Sequence, residues 1–361
     1  MLRYFVFFIG TVSVILLGAV TASAQCLVPQ DQIVSGGPGK DGIPSLTNPE
    51  VVSVVEGESF MEIQDLVLGV VVNGEARAYP HAVLWWHEII NDVLGGKPIT
   101  VSFCPLTGSG LVYDPVLEEG ASAANFGVSG LLFDNNLILF DRTTDSLWSQ
   151  MKSQAICGSL QGAIPTLLPV AQMTWQAWKT IHPETTVVSR NTGFNRNYDR
   201  YPYGDYDEVN NNDLLFPQST VDTRLPMKDT VFGIRNEGVS RAYSMSLFGQ
   251  GDGRRVVNDE VNGLPVVVVY DRGSEMLLGF SRRLNDATMA EEMTLNFELV
   301  DEGTFPFKLR DRETGSLWNL TGAALEGTLA GARLQPLADS FAAFWFAWAA
   351  FNGGSEIFEA Q

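Results

Sequence analysis

A β-rich α+β fold built from two tandem homologous repeats is what this sequence predicts, and three observations carry the prediction. Ordered blocks recur along the chain, β-branched runs alternate with Gly and Pro punctuation, and helical stretches are few. Val67-Leu68-Gly69-Val70 with Asn73-Gly74 and Ala76-Arg77-Ala78-Tyr79 returns as Val231-Phe232-Gly233-Ile234 with Glu237-Gly238 and Ser240-Arg241-Ala242-Tyr243. Asn91-Asp92 returns as Asn258-Asp259, and Asp141 to Trp148 matches Asp311 to Trp318 at six of eight positions. The spacing is kept as well, at 50 residues from Asn91 to Asp141 and 53 from Asn258 to Asp311. Each repeat closes on a Trp-x-x-Trp helix, Trp175/Trp178 and Trp345/Trp348.

The elements follow in order. Residues 1–24 read as a secretory signal: Arg3 is the lone charge, Tyr4 to Val20 is mostly apolar, and Ala22-Ser23-Ala24 offers a cleavage site. Export to a periplasmic or extracellular compartment is expected, with no stable membrane insertion after cleavage. An uncleaved anchor helix is the competing reading, because the apolar run is long for a signal. Residues 25–63 form an N-terminal segment, residues 64–190 the first repeat, residues 191–229 a linker rich in Asn and Tyr, and residues 230–361 a second repeat read as structural. Strands are expected at Leu66 to Val72, Ile99 to Phe103, Leu137 to Phe140 and Val266 to Val269, and helices at Ala82 to Ile90, Met173 to Ile181 and Ser340 to Phe351. Phe341, Trp345 and Trp348 fall at i, i+4, i+7 and predict one buried helix face. The linker tyrosines Tyr198, Tyr201, Tyr203 and Tyr206 point either to packing across the mouth of a site or to a strap between the repeats.

Composition narrows the function. Lys and Arg number 23 against 42 Asp and Glu, for a net charge of −19, so a nucleic-acid backbone would be repelled. No phosphate-binding glycine loop, zincin helix or serine-hydrolase elbow is present in the sequence.

Where the repeats differ is where chemistry is expected. All three histidines, His81, His87 and His182, lie in the first repeat, together with Cys104 and Cys157. Alignment through Asn91-Asp92 sets His87 opposite Arg254, Glu88 opposite Arg255 and Cys104 opposite Asp271. Asn91, Asp92, Asp141, Arg142 and Trp148 have counterparts in the second repeat and are assigned to turns, an Asp-Arg pair and core packing. His87 and Glu88 end one helix, and Cys104 ends the following strand. A thiolate beside an imidazole makes either an activated nucleophile or a ligand pair for copper or zinc. The plainer alternatives are a buried free cysteine and a helix histidine that never meet, or a disulfide between Cys104 and Cys157. Cys26 is read as incidental.

At these residues the chain resembles the DUF3179 family, a domain of unknown function. The resemblance rests on Ala76-Arg77-Ala78-Tyr79-Pro80, Trp86-His87-Glu88-Ile89-Ile90-Asn91-Asp92, Cys104-Pro105-Leu106-Thr107-Gly108, Phe126 to Leu132 and Ser146-Leu147-Trp148-Ser149-Gln150. The resemblance implies no activity. Family members commonly carry a second cysteine where Thr107 stands, so a site here rests on Cys104 alone. The leading expectation is a transition-metal site with His87 and Cys104 as ligands and Glu88 ligating or orienting His87. The alternatives are an enzyme with a Cys104 nucleophile activated by His87 and oriented by Glu88, and a non-catalytic module binding an unknown small ligand or partner.

Overall fold

The computed structural model describes residue 1 and residues 26–248, 253–284, 292–300 and 303–359. The expected signal segment and its cleavage point lie outside the described residues. The chain is β-rich, with several sheets and few helices. No helix among the described residues is long and apolar enough to cross a membrane.

Two hairpins of like register organise the chain. Leu66–Val72 pairs antiparallel with Glu75–Pro80 around Asn73-Gly74, from Val67 opposite Pro80 to Val72 opposite Glu75. Thr230–Asn236 pairs with Val239–Ser244 around Glu237-Gly238, from Val231 opposite Ser244 to Asn236 opposite Val239. Asn73 and Glu237 take positive φ, at 50° and 48°, and each is followed by a glycine, the backbone that a two-residue hairpin turn demands. Each hairpin gains an antiparallel strand on one side, Ala171–Thr174 or Ser340–Phe344, and a short parallel one on the other, Thr186–Val188 or Glu356–Ile357.

Buried and half-buried polar side chains recur at matching places. Arg77 reaches Asp92 at 2.6 Å, where the Tyr79 hydroxyl also donates at 2.8 Å. Arg241 and Tyr243 meet Asp259 at 2.6 and 2.7 Å. The indole N–H of Trp148 donates to Asp141, and that of Trp318 to Asp311, at 3.1 and 2.8 Å. The Asp141–Arg142 pair expected from sequence does not form: Asp141 is spent on the turn at Thr143 and Thr144, and Arg142 turns away to Asp41 at 2.7 Å.

The two halves grip each other. The eight-stranded sheet joins Met276–Ser281 to Ala171–Thr174, and the Thr174 N–H donates to the Ser274 carbonyl at 2.9 Å. In the reverse sense the Phe344 N–H donates to the Thr107 carbonyl at 2.8 Å. Thr174 and Phe344 each stand just before a Trp-x-x-Trp helix, Trp175–Ile181 and Trp345–Phe351.

These helices are shorter than expected. Met173-Thr174 and Ser340 to Phe344 are strand, because their backbone groups pair with Leu66 and Val67 and with residues 230–234. Phe341 therefore reaches Trp348 from a strand, with ring centroids 5.2 Å apart. The helix expected over Ala82 to Ile90 is instead His81–His87, since Glu88 takes φ 55° and Ile89 opens a strand against Ser102.

The cysteines pair differently from the expectation. Cys26 bonds Cys157, and Cys104 is free and buried. The Leu27 N–H donates to the Ile156 carbonyl at 2.8 Å, which lays the N-terminal segment along the strand Gln154–Cys157 and brings Cys26 to its partner. Cys26 is thus a structural residue.

Candidate active site

His87, Glu88 and Cys104 are positioned by a helix end and the strand beside it. Leu84 accepts the Glu88 N–H at 2.8 Å to close the helix, and the Glu88 carbonyl accepts the Phe103 N–H at 2.7 Å. That second bond brings the end of the strand Lys97–Cys104 alongside the helix terminus. In the second half the corresponding strands carry Arg254 opposite Asp271, joined at 3.0 Å as an ion pair. The first half holds neutral chemistry there.

His87 is fully buried, and both ring nitrogens are engaged. Nδ1 lies 2.7 Å from the Pro44 carbonyl, which can only accept, so Nδ1 carries the proton. Nε2 then accepts from the Tyr198 hydroxyl at 2.7 Å, and Tyr198 is itself 2.5 Å from Thr192 Oγ1. Burial lowers the His87 pKa, opposed by the Pro44 bond and helped by nearby Arg196. The neutral ring ties residues 44 and 198 to the helix end.

Glu88 acts on Cys104. Burial pushes the Glu88 carboxyl up to about 8, and it takes no side-chain hydrogen bond among the described residues. The Cys104 thiol rises to about 11, chiefly through burial and then through the Glu88 charge. Bonds from the Thr107 hydroxyl and from the Leu137 and Thr107 backbone work the other way and favour the thiolate. In the thiol form Sγ faces the Asn135 carbonyl at 3.6 Å.

The linker roofs this pair. Tyr201, Tyr203 and Tyr206 pack in one cluster with Cys104, Leu106 and Ile89. The Tyr201 hydroxyl donates to the Pro105 carbonyl at 3.1 Å, and its ring meets Trp85 edge-on at 5.2 Å. The Tyr206 hydroxyl is buried without a partner among the described residues. Buried Lys228 sits 3.5 Å over the Tyr206 ring and donates to the carbonyls of Tyr206 and Asp213. Asn135 anchors the far end of the linker through the Phe216 carbonyl and N–H, at 3.1 and 3.0 Å.

Of the three residues singled out by sequence, Glu88 and Cys104 share an environment, and His87 is bonded elsewhere. To ligate a metal ion His87 would have to release Tyr198 or Pro44. Glu88 and Cys104 could then add one oxygen and one sulfur donor, and zinc ordinarily takes four ligands. No group of three or more His, Cys, Asp or Glu placed to hold a metal occurs among the described residues. The other two histidines are structural: burial depresses His81 to about 3 and His182 to about 4, and their rings stand 4.4 Å from Phe103 and 4.1 Å from Trp178. Sequence reasoning had Tyr206 only as one of four linker tyrosines packing across the mouth of a site or strapping the repeats, and it missed Thr107 as a member of the site. The tyrosine spacing was the available signal for the first.

Comparison with known proteins gives a family and no more. Nothing among curated proteins or solved structures matches this chain. The family model for DUF3179, a protein of unknown function, matches residues 40–355. That span takes in both hairpins, the linker and the Glu88–Cys104 pair, and the chain belongs to the DUF3179 family.

Proposed function

We propose that the first half carries a thiol-dependent active site for a small electrophile of the carbonyl class, with Cys104 as nucleophile and Glu88, rather than His87, as its proton acceptor. The observation that carries this reading is the buried Glu88 carboxyl set beside the buried end of the Cys104 strand by the Phe103 N–H bond to the Glu88 carbonyl, with burial raising the carboxyl to about 8 and the thiol to about 11. Proton transfer from Sγ to the Glu88 carboxylate leaves a thiolate held by the Thr107 and Leu137 donors. The sulfur pair forms a bond to the electrophilic carbon, and the carbonyl π pair moves onto oxygen, toward which the Tyr206 hydroxyl can donate. The oxygen pair then re-forms the carbonyl as the bond from carbon to the departing group breaks, Glu88 returns its proton to that group, and water hydrolyses the thioester left on Sγ to free the thiol and a carboxylic acid. This is nucleophilic catalysis with a carboxyl base. The copper or zinc reading is set aside in its favour, because both His87 nitrogens already hold other partners.

Alkylation of Cys104 by iodoacetamide across pH 6–10, in wild type and Glu88→Gln, tests the pairing. If Glu88 is the base, the wild-type rate inflects near pH 8 and the variant reacts about tenfold or more slowly. If Glu88 merely repels the thiolate, the variant reacts faster. That outcome overturns the proposal, as does a folded wild type whose Cys104 stays unlabelled at pH 9.

We read the two halves as copies of one unit, with the chemistry kept in the first; the matched hairpins and Asp–Trp bonds support this. An experimental structure with different strand pairing in the two halves would undo it. Export is supported by the Cys26–Cys157 bond, which persists in oxidising compartments.

A further inference from the structure

A cleft of about 510 Å³ lies between the halves, away from the thiol site. Trp178, Phe232, Phe280 and Leu337 wall it, and Asn319, Arg333 and Gln335 stand around it. A second cleft, of about 480 Å³, lies in the corresponding place across the molecule, beside the hairpin of Thr230–Asn236. Their linings differ, and two of the differences fall at positions that strand register matches. Arg235, opposite Ser240 in its hairpin, enters the second cleft and binds Asp339 at 2.6 Å and the Met151 carbonyl at 2.6 Å. Val71, opposite Ala76, holds that place in the first hairpin. Pro169 stands two residues before Ala171, which pairs with Gly69, just as Asp339 stands two before Phe341, which pairs with Gly233. One cleft thus carries an ion pair on its wall, and the other has valine and proline in its place.

The first cleft presents unused donors. Arg333 and Gln335 have no side-chain partner among the described residues. Asn319 commits its Oδ1 to Thr321 and Ala323, which leaves its amide N–H groups to donate. An unpaired guanidinium beside an aromatic wall, on a chain of net charge −19, complements an anion attached to an apolar body. We propose that this cleft binds a small amphipathic carboxylate, its one or two rings against Trp178 and Phe280 and its carboxylate on Arg333. A preformed concave site of this size, mostly apolar with a few converging donors, is the ordinary design for such a ligand.

The experiment is calorimetric titration of the full chain with 2-naphthoate and with neutral 2-naphthylmethanol. Wild type should bind naphthoate saturably at one site. Arg333→Gln should weaken naphthoate about tenfold and leave the alcohol unchanged, since a charge-assisted bond is lost. Val71→Arg combined with Pro169→Asp should set the same ion pair on the apolar wall of this cleft and weaken binding of both compounds. Cys104→Ala should leave naphthoate binding intact, which separates this cleft from the thiol site. Absence of saturable naphthoate binding to wild type overturns the proposal, as does naphthoate affinity unchanged by Arg333→Gln. If the double variant fails to fold, Arg333→Glu at its exposed position decides: retained affinity overturns the proposal, and loss supports it.

Discussion

Glu88 turns out of a helix at φ 55° and carries its carboxyl into a buried space, so its titration bears on stability as well as chemistry. Between pH 6.5 and 8 the folded protein keeps a proton that the unfolded chain, with an ordinary glutamate near 4.5, has already released. Stability therefore falls as pH rises through that window. The histidines act below it: His81 and His182 are depressed to about 3 and 4, and they destabilise the fold only where the unfolded chain protonates, under about 6.5. Cys104, raised to about 11, acts only above the ordinary thiol range. Replacing Glu88 with Gln should flatten the pH 6.5–8 slope, removing a loss of about 2 kcal/mol. Urea unfolding at the two pH values measures it, and an unchanged slope would show that Glu88 is already ionised in the folded protein.

At the level of the element, the Trp-x-x-Trp helices are seated on glycines. A methyl group on Gly69 would lie 2.2 Å from the Trp178 ring, and one on Gly233 would lie 2.1 Å from Trp348. Each indole is pinned beyond its helix, Trp178 to Thr185 and Trp348 to Ser355, both at 2.8 Å, so neither ring can swing aside without losing a buried bond. Gly69→Ala should cost about 1–3 kcal/mol or more by overpacking, read as a lower urea midpoint at unchanged m. A neutral effect would mean that the ring has room to shift. These helices were legible in the sequence because the paired tryptophans recur. Their boundaries were not, because Met173 and Ser340 become strand through pairing with distant residues. The site divides in the same way. Cys104 and Glu88 could be found because the second half carries Asp271 and Arg255 at the aligned positions. The true partners of His87 stand 43 and 111 residues away, and no local pattern announces them.

For the molecule as a whole, the Cys26–Cys157 bond ties the N-terminal segment to the first half across 131 residues. Closing so long a loop restricts the unfolded chain by about 4–5 kcal/mol in the entropic account. Reduction, or Cys26→Ser, should lower Tm by several degrees, and a Tm unmoved by reduction would show that the strand contacts hold the segment unaided. The cap that Phe344 places on the Thr107 carbonyl has a different bearing, on the order in which the parts are made. The ribosome delivers Cys104 and its turn well before Phe344, and domains begin folding as they emerge. Until the last helix docks, that turn lacks its cap and the ring of Phe344 beside Gly108. A chain folding under oxidising conditions would thus pass through an interval with three thiols competing for two places. Docking of Phe344 on the Thr107 turn and of the linker tyrosines over Cys104 ends the contest.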